Sequence, residues 1–296
     1  MRNLLNILAA ATMVALIVSC EKDDDNQIGK RNMDLNISGL GDLGEGFVYE
    51  GWLVKEGNPV STGTFTVDSA GGLSQSQFEV EANLLDSANS FFLTIESSPD
   101  DNPAPASTRV LAGNFSGNSA SLSVAHGGAI GTDLTSASGR YILATPTDGG
   151  MDSNENSGIW WINPANGPGR GLELPELGTG WKYEGWAEID GQPMSTGKFQ
   201  SVVNEDESAS YSGTTASGYA FPGEDFLLNA PSGFDFPVNL AGRKVFVSVE
   251  PDPDNHPSPF VIRPLTGQVP NPALAQNLYD MNNNATSSNP TGSVSR

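Results

Sequence analysis

Residues 40–65 read LGDLGEGFVYEGWLVKEGNPVSTGTF, and residues 174–199 read LPELGTGWKYEGWAEIDGQPMSTGKF. Both hold Tyr-Glu-Gly-Trp followed by Gly-x-Pro-x-Ser-Thr-Gly-x-Phe, so that Tyr49 recurs as Tyr183 and Phe65 as Phe199. In an extended chain alternate residues share a face. Val48, Glu50, Trp52 and Val54 then fall on one side, and Phe47, Tyr49, Gly51 and Leu53 on the other. The stretches Glu56-Gly57-Asn58-Pro59 and Asp190-Gly191-Gln192-Pro193 carry the residue types of tight turns. Each segment is therefore expected to be a β-hairpin, with its second strand over 60–67 or 194–203.

The repetition continues downstream. Phe92-Leu93-Thr94-Ile95-Glu96 returns as Phe246-Val247-Ser248-Val249-Glu250, and Arg109, Leu111 and Gly113 return as Arg263, Leu265 and Gly267. The second copy is longer between these blocks, within 202–240, a stretch rich in Ser, Gly and Pro that reads as a surface excursion. Further strands are expected over 78–82, 91–96, 120–124, 140–144, 158–162, 226–229 and 244–250, separated by Gly, Pro and Asn. The expected fold class is all-β: two tandem antiparallel β-sandwich modules from an internal duplication, over 33–166 and 167–270. Pro272 is expected to open a short helix with Leu274, Leu278 and Met281 on one stripe. Residues 282–296 read as a disordered tail.

At the other end, Arg2 precedes an apolar run over 4–18 that closes on Ile17-Val18-Ser19-Cys20. This is the pattern of a lipoprotein signal: residues 1–19 are expected to be cleaved and Cys20, the single cysteine, to carry the lipid. Two or more acyl chains bury enough methylene to hold a protein on a bilayer. Glu21-Lys22-Asp23-Asp24-Asp25 opens an acidic tether over 20–32. The expected location is the cell envelope, lipid-anchored to the outer membrane, at either its periplasmic or its surface-exposed face. A formal net charge of −21 repels nucleic acid and removes it as a partner. With Cys20 lipidated, no thiol is left for a disulfide, and stability rests on packed sheets.

Several residue sets could carry chemistry. Glu50 and Glu184 share a face with Trp52 and Trp186, an environment that can raise a carboxylate pKa. The plainer reading makes them strand glutamates paired with hydroxyls or with Arg109 and Arg263. Asp100, Asp101, Asp252 and Asp254 lie in acid-proline loops, which supply either calcium ligands or ordinary turns. Trp160 and Trp161 are adjacent, so on a strand one of them is expected to face out as a binding anchor; core packing is the alternative. His126 and His256 lie in different modules with no His or Cys nearby, and no nucleophile elbow, phosphate loop or dinucleotide fingerprint occurs. No cofactor is expected. Asp68-Ser69-Ala70 and Asp86-Ser87-Ala88 match a short bacterial O-glycan acceptor motif.

The block over 51–65, with Phe92 to Glu96 and with Val247-Ser248-Val249-Glu250-Pro251, resembles the extracytoplasmic C-terminal domain of anti-sigma-K factors. That resemblance implies a β-sandwich on the outer side of a membrane. The chain shows no counterpart of that family's cytoplasmic helical domain or its membrane-crossing helix, so direct sigma-factor binding is not expected. The functional expectation is a non-enzymatic envelope protein that binds a partner protein or glycan, or senses an envelope condition. A glycan-active hydrolase or carbohydrate-binding surface protein is one alternative, and a structural surface-layer protein another.

Overall fold

The computed structural model describes residues 29–99, 102–150, 153–253 and 256–296. Cys20, Asp100, Asp101 and Asp254 lie outside the described residues. The strands of the first half are β1 (Lys30–Ser38), β2 (Phe47–Lys55), β3 (Asn58–Phe65), β4 (Gln77–Glu81), β5 (Ser90–Ser97), β6 (Arg109–Asn114), β7 (Ser119–Ser123), β8 (Ser138–Leu143) and β9 (Gly158–Trp160). They continue with β10 (Ile162–Asn163), β11 (Gly169–Arg170), β12 (Leu172–Glu173), β13 (Trp181–Ile189), β14 (Gln192–Phe199), β15 (Gly223–Asp225), β16 (Lys244–Pro251), β17 (Leu265–Gln268), β18 (Tyr279–Asp280), β19 (Asn282–Asn283) and β20 (Thr291–Ser295). Two short helices, α1 (Ala82–Ser87) and α2 (Ala285–Ser288), interrupt them. The protein is all-β, and its strand pairs are antiparallel throughout the sheets.

The largest sheet has the order β3-β2-β5-β6-β7-β20-β1-β4. Strict alternation shapes its far side: Met33, Leu35 and Ile37 of β1, and Phe78 and Val80 of β4, point inward while their neighbours are exposed. The sheet rolls until its two edge strands meet. Phe65 of β3 and Phe78 of β4 pack with ring centroids 6.1 Å apart, and Gly63 has no Cβ to hold the Phe78 ring away. A second sheet, β14-β13-β16-β17-β19, repeats the pairings of β3-β2-β5-β6. Tyr49 opposes Phe65 as Tyr183 opposes Phe199, and the register slips between Gly51 and Trp52 as it does between Gly185 and Trp186. A third sheet, β12-β8-β9-β15, takes β8, β9 and β12 from the stretch before β13 and β15 from between β14 and β16.

Two expectations need correction here. Residues 282–296 are ordered: β20 inserts between β7 and β1, in the interior of the first sheet, with Val294 fully buried. Thr291-Gly292-Ser293-Val294-Ser295 looks unstructured because only one side chain is apolar, but a strand flanked on both sides satisfies its backbone through its neighbours. Arg296 seals the end, its guanidinium donating to the carbonyls of Leu85 (2.6 Å), Ala88 (3.1 Å) and Gly117 (2.9 Å). The helix expected after Pro272 does not form. Leu274 is exposed, Leu278 packs with Trp160, Met281 joins the main core, and Gln276 takes a positive φ of 60°. At the other end β1 begins at Lys30, inside the stretch read as tether, where Lys30 pairs with Glu81.

The apolar interior crosses the halves. One continuous cluster includes Met33, Tyr49 and Leu111 of the first half and Tyr183, Val247 and Leu265 of the second. Among the described residues no change of core marks position 166.

Candidate functional site

The recurring motif builds the frame. The turn residues Glu56 and Asp190 adopt φ of 53° and 51°, each followed by a glycine near 80°. Thr62 and Thr196 are the extra residues of the bulge, and Gly63 and Gly197 close it at φ of 115° and 114°, a region that favours glycine. Ser61 donates to Glu50 and accepts from Gly63 N–H at 3.2 Å; Ser195 donates to Glu184 and accepts from Gly197 N–H at 3.0 Å. Both glutamates are buried. Their carboxylates thus brace the bulge. Gly51 and Gly185 leave room for a neighbour, since an added Cβ would meet Phe91 at 2.9 Å or the Trp161 Nε1 at 2.5 Å.

Arg109 and Arg263 do not pair with these glutamates. Trp52 stacks on Phe92 (6.2 Å) and the Arg109 guanidinium sits 4.2 Å above the same Phe92 ring; Trp186, Phe246 and Arg263 repeat the stack at 6.0 Å and 4.8 Å. The indoles donate to Thr94 Oγ1 at 2.9 Å and Ser248 Oγ at 2.7 Å.

Where the two halves meet, they enclose a cavity of about 320 Å³. Leu43, Phe47 and Ile95 form one wall; Pro251, Phe260 and Val261 form the other. Tyr49 fixes the first arm by donating to the Gly41 carbonyl at 3.0 Å, and Gly41 comes so close to Val261 that a Cβ would lie 2.4 Å from it. Glu96 accepts from Ala106 N–H at 2.8 Å, and Glu250 accepts from Phe260 N–H at 2.9 Å, so the shared glutamates hold the acid-proline loops that border the cavity. Asp42 and Asp252 add negative charge at its edge.

Of the four acids read as calcium candidates, Asp252 is the one described. Asp252 lies 3.3 Å from Lys182 Nζ, which also meets Glu207 at 2.9 Å, and these partners raise the Lys182 pKa, Glu207 foremost. Among the described residues no group of acids, His or Cys could hold a metal ion.

Neither tryptophan faces out. Trp161 is fully buried against Tyr141, and Trp160 is 4% exposed, pressed by Gly218, Gly223 and Tyr219. Strand β9 is central in its sheet and the 202–240 excursion folds over its outer face, so both of its sides are covered. Beneath that excursion lies a second cavity, about 440 Å³, lined by Asp206; Glu224 and Asp225, which follow its lining residue Gly223 on β15, are fully buried, and none of the three was singled out from the sequence. Asp225 accepts from Thr147 N–H at 2.8 Å and Trp160 Nε1 at 2.7 Å. Glu224 accepts from Ser212 Oγ and from Tyr211 N–H at 3.2 Å. Asp206 accepts from Gly223 N–H at 2.8 Å and Ser208 N–H at 3.0 Å. Burial pushes Asp206 and Glu224 up to about 7, and raises Asp225 as well. These bonds tie the excursion down. The larger cavity sets Glu205, Asp206, Glu207 and several serines beside Trp160, Tyr219 and Phe221, whereas the smaller one has the apolar walls and few polar groups of a binding cleft. The strand was expected over 226–229; Gly223 against Trp160, in a register that only the paired strand reveals, is what places the acids inside.

No protein-family model, curated protein or solved structure matches this chain. No helix among the described residues is long and apolar enough to cross a membrane.

Proposed function

We propose that this chain is a lipid-anchored protein of the cell envelope that binds an envelope partner through the cleft between its two related halves and performs no catalysis. The observation that carries this reading is the cleft itself, apolar on both walls and acidic at its edge. A ligand suited to it has an apolar body and a positively charged end, as an apolar peptide segment beside Lys or Arg has; the chain's net charge of −21 favours the same sign. The common register, bulge and Trp-Phe-Arg stack support descent of the halves from one duplicated unit, of the kind the anti-sigma-K resemblance implies, with no direct hold on a sigma factor.

Capture from intact envelopes by the full lipidated chain, compared with Asp42→Lys and Leu43→Lys, tests the cleft. These positions are exposed and half-buried, so the variants should melt as wild type does and lose the captured partner. Equal capture by all three chains would place binding elsewhere. Labelled fatty acid should enter wild type and not Cys20→Ser. A glycan-hydrolase alternative would look to Asp206, which lines the second cavity and whose pKa, pushed up to about 7 by burial, suits a general acid. Turnover on a glycan panel, lost in Asp206→Asn, would replace the binding reading.

A further inference from the structure

Three arginines in this acidic chain lie over phenylalanine rings. Arg263 over Phe246 donates to the carbonyls of Phe260 (3.2 Å) and Pro259 (3.4 Å). Arg296 over Phe115, at 4.5 Å, donates to four carbonyls. Arg109 over Phe92 is the exception: among the described residues its guanidinium has no hydrogen bond and no ion pair, although it occupies the position equivalent to Arg263. A guanidinium has five N–H donors, and stacking on a ring uses none of them.

These donors border a third cavity, about 180 Å³, on the outer face of the first sheet. His126 lines it beside Arg109. Its Nδ1 accepts from Gly128 N–H at 3.0 Å, which assigns the ring proton to Nε2 and makes the imidazole a second donor. Val54, Pro59 and Ala112 supply apolar lining, and Ser90 adds one hydroxyl. No acidic side chain lines the cavity. In a chain of net charge −21, two donors of positive or neutral character grouped without an acid form a local exception to the surrounding field.

We propose that this cavity is a binding site for a single carboxylate carried on a short apolar stem, the carboxylate meeting the edge of Arg109 and the Nε2–H of His126, and the stem lying against Val54 and Pro59. The Arg109 guanidinium, its Cζ 4.2 Å from the Phe92 ring centroid, keeps its paired N–H bonds, the geometry that a carboxylate accepts. The overall field disfavours a dianion such as phosphate, which leaves the monocarboxylate as the fitting class. A free short-chain acid and the C-terminus of a peptide share this chemistry. The proposal is independent of the cleft between the halves, which lies elsewhere on the molecule.

The test follows the Gly128 amide and the arginine Nε–H signals by NMR in the whole chain during titration with butyrate, N-acetylalanine, butyramide or inorganic phosphate. Butyrate or N-acetylalanine should shift both signals with saturation in the millimolar range, and butyramide should bind at least tenfold more weakly. Tighter binding of N-acetylalanine assigns a peptide terminus; tighter butyrate assigns a free acid. Arg109→Gln should weaken the better carboxylate at least tenfold, with Arg109→Lys in between. If Arg109→Gln does not fold, His126→Gln, in a half-buried loop, should still weaken binding severalfold. Butyramide equal to butyrate, phosphate tighter than either acid, or undiminished binding in the folded variant would overturn the assignment.

Discussion

Replacing Glu224 by glutamine should remove one identifiable part of the pH dependence of stability. Glu224 is fully buried on β15, with Asp225 beside it and Asp206 bonded to the neighbouring Gly223 N–H. Burial, the largest cause, lifts its pKa from 4.5 to about 7 against hydrogen bonds from Ser212, Tyr211 and Asp225 that lower it. The folded chain therefore holds a proton, between pH 4.5 and about 7, that the unfolded chain has released. Stability is complete below that window and falls as pH rises through it. A shift of this size is worth about 3 kcal/mol, or roughly 5–10 °C in midpoint for a chain of this size. Glutamine keeps an acceptor oxygen for Ser212 and stays neutral, so it mimics the protonated acid at every pH. Asp206 and Asp225 titrate in both proteins and largely cancel in the comparison. Midpoints followed by circular dichroism from pH 4.5 to 8 should show wild type losing about that amount relative to Glu224→Gln. Parallel curves for the two proteins would show that Glu224 is ionised in the fold at all these pH values, and would refute the argument.

Three further outcomes follow from the packing. A chain ending at Asn289 lacks β20 and exposes the edges of β1 and β7; it should lose its cooperative melt and associate, as light scattering would report. Trp52→Ala and Trp186→Ala should each cost about 3–5 kcal/mol. Because one core spans both halves, each variant should show one lowered transition in calorimetry, and separate melting of the halves would contradict the continuous core. Gly197→Ala should destabilise more than Gly63→Ala. Both positions have positive φ, but the new methyl would meet the Asp206 carboxylate at 2.3 Å in the first case and the Phe78 ring at 3.2 Å in the second. Urea midpoints of the two variants decide the order.

The amino-acid sequence alone carried the local grammar of this protein. Tyr-Glu-Gly-Trp with its turn and Ser-Thr-Gly is legible because its information is short-range: alternation sets the faces, Glu-Gly and Asp-Gly set the turns, and repetition doubles the signal. The space opposite Gly51 is predictable for the same reason. What tertiary structure decided are events between distant residues. Val294 reads as part of a polar tail until β1 and β7 flank it, because a central strand takes its stability from its neighbours' hydrogen bonds and from one inward side chain. Trp160 and Trp161 read as a pair with one exposed anchor until the excursion over 202–240 closes on Trp160, since burial of that face depends on a segment whose own composition is that of a loop. Glu224 and Asp225 look like surface acids in sequence and become buried through the pairing of β15 with β9, while Asp206, half-buried, is drawn in by the Gly223 N–H. Arg109 and Arg263 are the same residue to the sequence. They differ only in whether a loop carbonyl lies within reach, and that is settled by how the chain packs.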